Sequence, residues 1–475
     1  MPNSNEASPQ SGPTPIIREP LMLSVTGTLP DYLSTSTLYR IGPGKVNIRH
    51  SDGVPYKLRH YFDSPGFLHI YSIDASTNSV TYRNLFLGES KLRAIANTPS
   101  SPKANHQCFI HNFPGKGLVA CTDGVDLLKI DENSVAADHF FKYEDLLHDA
   151  DGNFSCAHGH YDEERGEFIN FTYKFGGSPV TYKVFKLKQD DKSSIIAEFE
   201  ETPRYLHSFA VTDKYVIMIL WPLTVHGLKI WFHQNKMAGL HYNDSEPTLF
   251  IVISRAEDRV VAKYTSESFF CFHQVNAFDT EDGVVIDMSH YQNADILNLN
   301  DVSLFDMIVL EGCSLARITL DGLSDAILSY PKTSRDVTTV DISKCGFELP
   351  TINSKFSRKD YRYAYGFNTF CSGIENRMVL VKVDVRNGKK LEWGQNNTLV
   401  SEPVFVADPA GLEEDDGCIL SLIADKNEMR SSVVVLDART MTEIARAVVP
   451  ILTPLGFHGM FAKVWKLNSK SHFFL

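Results

Sequence analysis

The sequence predicts an all-β protein, and among all-β architectures a β-propeller. Three observations carry this. From Leu21 onward the chain is a succession of short β-branched and aromatic runs separated by turn residues, as in proteins built from meanders. At 475 residues, 43% of them hydrophobic and 22% charged, it is ordinary globular material and long enough for one large β architecture. So many strands also present an edge problem, which radial repetition of four-stranded sheets solves while leaving a central channel. Seven blades would take about 60 residues each, loops included. No Trp-Asp or kelch-like period marks them, so the blades have diverged in sequence.

The N-terminal stretch Met1 to Pro15 is rich in Pro, Ser and Asn and has no apolar core. It reads as a disordered lead, not a secretion signal, and the boundary is placed so that residues 1–18 lead into a single domain spanning 19–475. Strands are expected at His69–Asp74, Thr181–Leu187, Thr248–Ile253, Met378–Asp384 and Cys418–Ile423. Ser432–Asp437, a turn and Glu443–Val449 read as a hairpin.

The longest apolar run, Tyr215–Leu223, is about nine residues against the ~20 that a membrane span needs, so it reads as a buried strand and any membrane contact must be peripheral. The following segment, Leu223 to Phe232, carries Trp231 and Phe232 beside polar and basic residues in what should be a connection. It fits either a membrane interface at the mouth of a tunnel for a lipophilic substrate, or a short helix packed on the rim. Ser303–Gly312 is the best helical stretch and carries no evident chemistry.

A formal charge of −12 with no lysine or arginine cluster argues against a nucleic-acid partner. The eight cysteines form no Cys-x-x-Cys pair and several lie in apolar runs, which suits free buried thiols in a reducing compartment. Together with the unremarkable N-terminus this points to the cytoplasm, with room for peripheral membrane contact through 223–232.

Four histidines share one kind of setting, between apolar neighbours at or beside a β-like run: His158, His207, His273 and His458. They are 49, 66 and 185 residues apart, which excludes a local zinc-finger or helical clip. Either each is an isolated core histidine donating to a backbone carbonyl, or a fold that returns each segment to one axis assembles them. A double-stranded β-helix starting its metal site at His158-Gly159-His160 would use only about a quarter of the chain.

The contexts Ala157-His158, Leu206-His207-Ser208-Phe209, Phe272-His273-x-x-Asn276-Ala277-Phe278, Ser401-Glu402-Pro403-Val404-Phe405-Val406, Leu412-Glu413-Glu414-Asp415-Asp416-Gly417 and Phe457-His458-Gly459 occur in one order along the chain. Together they resemble the carotenoid cleavage oxygenase family, which includes apocarotenoid oxygenases, stilbene-cleaving oxygenases and the retinoid isomerase of the retinal pigment epithelium. The likeness runs from about Arg40-Ile41-Gly42-Pro43 to Phe461.

The resemblance implies a seven-bladed propeller with a small helical and loop cap, and Fe(2+) held on the axis by His158, His207, His273 and His458. Four imidazoles leave an octahedral ion two open positions. The family's three orienting glutamates match Glu348, Glu402 and, one methylene shorter, Asp123, a departure that puts the orientation of its histidine in question. The implied reaction splits a carbon–carbon double bond with O2 into two carbonyl products. Stilbene-cleaving members resemble one another in a lysine and a tyrosine that bind a phenol, where this chain has Thr122 and Phe86, so an apolar carotenoid or apocarotenoid is expected. Retinoid isomerohydrolase-like chemistry on the same iron, and a propeller scaffold without chemistry, are the rival expectations.

Overall fold

In the computed structural model the residues described are 15–44, 64–87, 108–131, 136–189, 192–226, 239–298, 313–332, 334–368, 378–425 and 427–463. They form a seven-bladed β-propeller, each blade an antiparallel meander. Numbered along the chain, blade 2 holds Phe109–Phe113, Gly117–Cys121, Asp126–Asp131 and Ala136–Lys142. Blade 3 runs from His160–Asp162 to Ser194–Glu201, blade 4 from Ala210–Val211 to Arg259–Ser266, blade 5 from Phe270–Asp279 to Thr338–Ser343, and blade 6 from Glu348–Thr351 to Lys390–Trp393.

The ring is closed by exchange of the chain's ends. Blade 1 consists of Leu21–Met22, Ser79–Phe86, Gly66–Asp74 and Ser36–Pro43, and takes the last strand, His458–Lys463, against Ser36–Pro43. Blade 7 lies mainly between Thr398–Val400 and Glu443–Val449, and takes the N-terminal strand Ser24–Gly27 on its far edge. At the blade 1 seam His458 pairs with Ile41 and Gly459 with Arg40. Gly42 permits the approach, since a Cβ there would lie 2.7 Å from the Gly456 Cα.

Strands inside a blade are covered on both faces by neighbouring blades, so they read as continuous apolar runs. Glu167–Tyr173, Thr248–Ser254 and Val379–Asp384 are buried at every residue. The outer strands Thr338–Ser343 and Lys390–Trp393 face solvent and carry Thr, Lys and Glu, the chemistry that discourages edge pairing.

The expected strands form, Gly66–Asp74, Val180–Lys188 and Gly417–Asp425 being longer than read, while the run expected at Tyr215–Leu223 ends as a strand at Leu220. The hairpin pairs Ser431 with Val449 through Leu436 with Glu443. Two expectations change. Ile17 exchanges backbone and side-chain hydrogen bonds with Asn84, whose amide also donates to the Pro15 carbonyl, so the anchored chain begins before residue 19. Leu223–Val225, expected as a connection, is a strand paired with Leu240–Tyr242, because Leu223 and Val225 are buried against blade 4. Trp231, Phe232 and the 303–312 segment lie outside the described residues. No helix among the described residues is long and apolar enough to cross a membrane. The seven described cysteines are free thiols.

Candidate metal centre

Four histidines spread over 300 residues, from His158 to His458, meet because each stands at or just before the first strand of a blade, or on the closing strand. His158 lies two residues before blade 3 and His207 three before blade 4. His273 sits within the first strand of blade 5, where the register shifts between Cys271 and Gln274, a bulge of the kind that re-aims a side chain. His458 opens the closing strand.

The His158 ring centroid is 4.7 Å from that of His207, 4.9 Å from His273 and 4.4 Å from His458, with ring planes steeply crossed. One ligand nitrogen from each of the four falls within 4.8 Å of the others. The structure thus brings the four sequence-derived histidines together and rejects the picture of four separate core residues.

Three of the rings are pinned by carboxylates. His207 Nδ1 donates to Asp123 Oδ2 at 2.8 Å, His273 Nδ1 to Glu348 Oε2 at 2.7 Å, and His458 Nδ1 to Glu402 Oε1 at 2.8 Å. Each contact consumes the Nδ1 proton and leaves Nε2 as a lone pair, the arrangement that fixes tautomer and aim in metal-binding histidines. The short Asp123 reaches its histidine without a bridging group. Its Oδ1 also takes the Ala157 N–H at 3.0 Å, which ties it to the residue before His158.

Burial, reinforced by the neighbouring imidazoles, pushes His158 and His458 well below the usual histidine range and keeps both rings neutral. Burial pushes Glu402 up to about 7 against the pull of Arg40. Burial acts the same way on Glu348, but His273, the Tyr291 hydroxyl and the Leu349 N–H outweigh it and hold that carboxyl below its ordinary value.

The residues fit a bound cation. Nε2 of His158 and Nε2 of His273 are buried without any hydrogen-bond partner, a costly state for a polar atom unless a metal ion satisfies it.

Several residues around the rings escaped the sequence reading. Tyr205 O–H donates to Asp123 Oδ2 at 2.7 Å, and Tyr291 O–H to Glu348 Oε1 at 2.7 Å. Arg40 Nη1 donates to Glu402 Oε2 at 3.0 Å. Phe109 packs on His158 at 4.9 Å and His458 at 5.1 Å, and Phe272 on His207 at 5.3 Å. Tyr205 carried a usable signal, two residues before His207 in an extended run and hence able to share its side. Of the two expected pocket residues, Thr122 precedes Asp123, with its hydroxyl 3.8 Å from the Cys108 thiol. Phe86 ends a blade 1 strand and packs edge-on against Phe67 at 4.8 Å.

Comparison with known proteins gives the family and the fold. The sequence profile of the family described as retinal pigment epithelial membrane protein matches residues 13–463. A carotenoid-cleaving dioxygenase, mitochondrial, of Macaca fascicularis is 30% identical, covering 93% of this chain and 91% of its own. A carotenoid dioxygenase of Neurospora crassa is 27% identical over 93% of this chain and 88% of its own. Among solved structures, a Glu-to-Asp variant of Synechocystis apocarotenoid oxygenase superimposes with a TM-score of 0.79 at 21% identity, over 96% of this chain and 97% of that one.

Proposed function

The chain belongs to the carotenoid cleavage oxygenase family, and from that premise we propose that it is an iron(II) dioxygenase that splits one carbon–carbon double bond of an apolar conjugated polyene, a carotenoid or apocarotenoid, into two carbonyl products. The observation that carries the metal assignment is the convergence of four imidazole nitrogens within 4.8 Å, two of them buried and unpartnered. His158, His207, His273 and His458 would hold the ion. When bound, ferrous iron with two positions free supplies the activation of dioxygen beside the alkene.

The chain's own residues do the positioning. Asp123, Glu348 and Glu402 hold the Nδ1 protons of His207, His273 and His458, so these rings can neither rotate nor switch tautomer without breaking a charge-assisted hydrogen bond. Phe109 and Phe272 pack apolar rings against the imidazoles, which suits an apolar substrate beside them. Thr122 and Phe86 offer neither an ammonium nor a phenol hydroxyl to a phenolic substrate, which supports an apolar polyene over a hydroxystilbene.

The test is aerobic incubation of the iron-loaded protein with a panel of carotenoids, apocarotenals and hydroxystilbenes under labelled oxygen gas, with mass analysis of the products. The expected result is label from the gas in carbonyl products of an apocarotenoid, formed faster than from resveratrol. Faster stilbene cleavage would move the substrate assignment. Ester cleavage with isomerisation and no label would replace the oxygenase by an isomerohydrolase, and full activity after removal of the metal would discard the iron.

A further inference from the structure

Arg40 is fully buried and belongs to none of the four ligand segments, yet its guanidinium reaches the centre. Nη1 donates to Oε2 and to the backbone carbonyl of Glu402, both at 3.0 Å, and Nη2 donates to the Gly456 carbonyl at 3.1 Å. Glu402 in turn holds His458. Gly459, the residue after that histidine, leaves space for the Arg40 side chain, because a Cβ there would lie 2.6 Å from the Arg40 Cδ.

The other two carboxylates are held differently. Asp123 takes the Ala157 N–H, the Tyr205 hydroxyl and the His207 ring. Glu348 takes the Tyr291 hydroxyl, the Leu349 N–H and the His273 ring. These donors are neutral, whereas Glu402 faces a guanidinium as well as the Gly459 N–H. Asp123 and Glu402 each receive an N–H donor on both oxygens, and Glu348 receives N–H donors on one oxygen and a hydroxyl on the other; burial raises Glu402, but no oxygen of it is left to carry a proton once the guanidinium, the Gly459 N–H and the His458 ring have donated, so all three are counted as ionised.

With neutral imidazoles, three carboxylates and one guanidinium leave this shell two negative charges in excess. A divalent cation at the four histidines brings the buried assembly to neutrality, while a trivalent one leaves an unpaired positive charge where water cannot screen it. Resting on the iron reading above, we infer that Arg40 is a positioning and charge-setting residue that matches the centre to a divalent ion and keeps the iron ferrous. Without it the shell would carry three negative charges and would stabilise the ferric state.

The experiment is a redox titration of the full-length, iron-loaded protein, followed by the ferric electron paramagnetic resonance signal, with iron content measured on each sample. Arg40→Met is expected to shift the ferric/ferrous potential to more negative values, corresponding to about a 10- to 100-fold rise in relative ferric affinity. Arg40→Lys, which keeps the charge, should stay close to the unmodified protein. Glu402→Gln should shift the potential the opposite way, and the double variant Arg40→Met/Glu402→Gln should return it towards the starting value.

A potential unmoved in Arg40→Met at full iron content would overturn the inference, because a purely structural arginine gives that result. Should Arg40→Met fail to fold, Glu402→Gln decides, since an unchanged or lowered potential there contradicts the charge count. An unmodified protein that takes up no iron overturns the functional reading itself, and is recognised before any variant is made.

Discussion

The two ends of the metal centre solve the same problem under different conditions. At the closure seam Glu402 and His458 are 9% and 5% exposed in their side chains, and the carboxylate is met by a guanidinium with no exposure at all. Across the centre Asp123 and His207 are 18% and 12% exposed, and a tyrosine hydroxyl and a backbone N–H suffice. An isolated carboxylate becomes expensive as water is withdrawn, and at the seam a full opposite charge meets that cost, whereas dipoles suffice at Asp123 and also at Glu348, whose side chain is 6% exposed and whose donors are neutral. The shorter Asp123 belongs with this, for a tyrosine and a backbone N–H hold it where it touches its histidine directly.

The harshest way to break the comparison is to remove an imidazole from either end. His207→Ala and His458→Ala should both abolish iron binding and activity, because the three imidazoles left are neutral and no carboxylate ligand replaces the lost donor. Iron content by mass spectrometry checks this, and full occupancy in either variant would strike that residue from the ligand set.

Next come the supports. Arg40→Met leaves Glu402 buried without its charge partner and should cost about 3–5 kcal/mol of stability. Tyr205→Phe removes one hydrogen bond from a partly exposed carboxylate and should cost only about 1 kcal/mol. Urea unfolding midpoints of the two variants measure the contrast, and equal losses would show that burial does not distinguish the two ends.

The carboxylates themselves should rank the same way. Glu402→Gln is expected to weaken metal affinity by roughly 10- to 100-fold, and Asp123→Asn by the lower end of that range, both with the fold intact. Competition against a chelator reads both, and an unchanged affinity in Glu402→Gln would make it an ordinary residue beside a strand.

Much of this was legible in the sequence, for reasons that also mark where legibility stops. Runs such as Thr248–Ser254 announce strands because β-branched residues buried on both faces leave no ambiguity. Histidines between apolar neighbours announce that something must satisfy them, and the order of their contexts says what. Arg40 was invisible in its role, because its partner lies 362 residues away and the pairing exists only once the last strand has joined blade 1. Leu223–Val225 was misread because a three-residue strand has too little pattern to stand out, and its partner at Leu240–Tyr242 comes after a long interruption.

The smallest effect probes how dry the closure seam is. His69 lies in blade 1, 1% exposed, with Nδ1 on the Tyr82 hydroxyl at 2.9 Å and a further hydrogen bond to the Pro454 carbonyl. Burial first, and then the Arg40 charge, push it down to about 3. The native state therefore keeps His69 neutral where the unfolded chain, titrating near the ordinary value of 6.5, binds a proton. Stability is full above that value and is lost as pH falls below it, with one excess proton in the unfolded state worth about 1.4 kcal/mol per pH unit until the native ring titrates. His69→Gln removes this proton from the unfolded state and should flatten the dependence of unfolding free energy between pH 6 and 4.5 by about 1 kcal/mol per unit. Denaturant curves at a series of pH values decide it. A slope unchanged by the substitution would mean that water reaches His69, and that the seam is not the dry environment in which Glu402 meets its guanidinium.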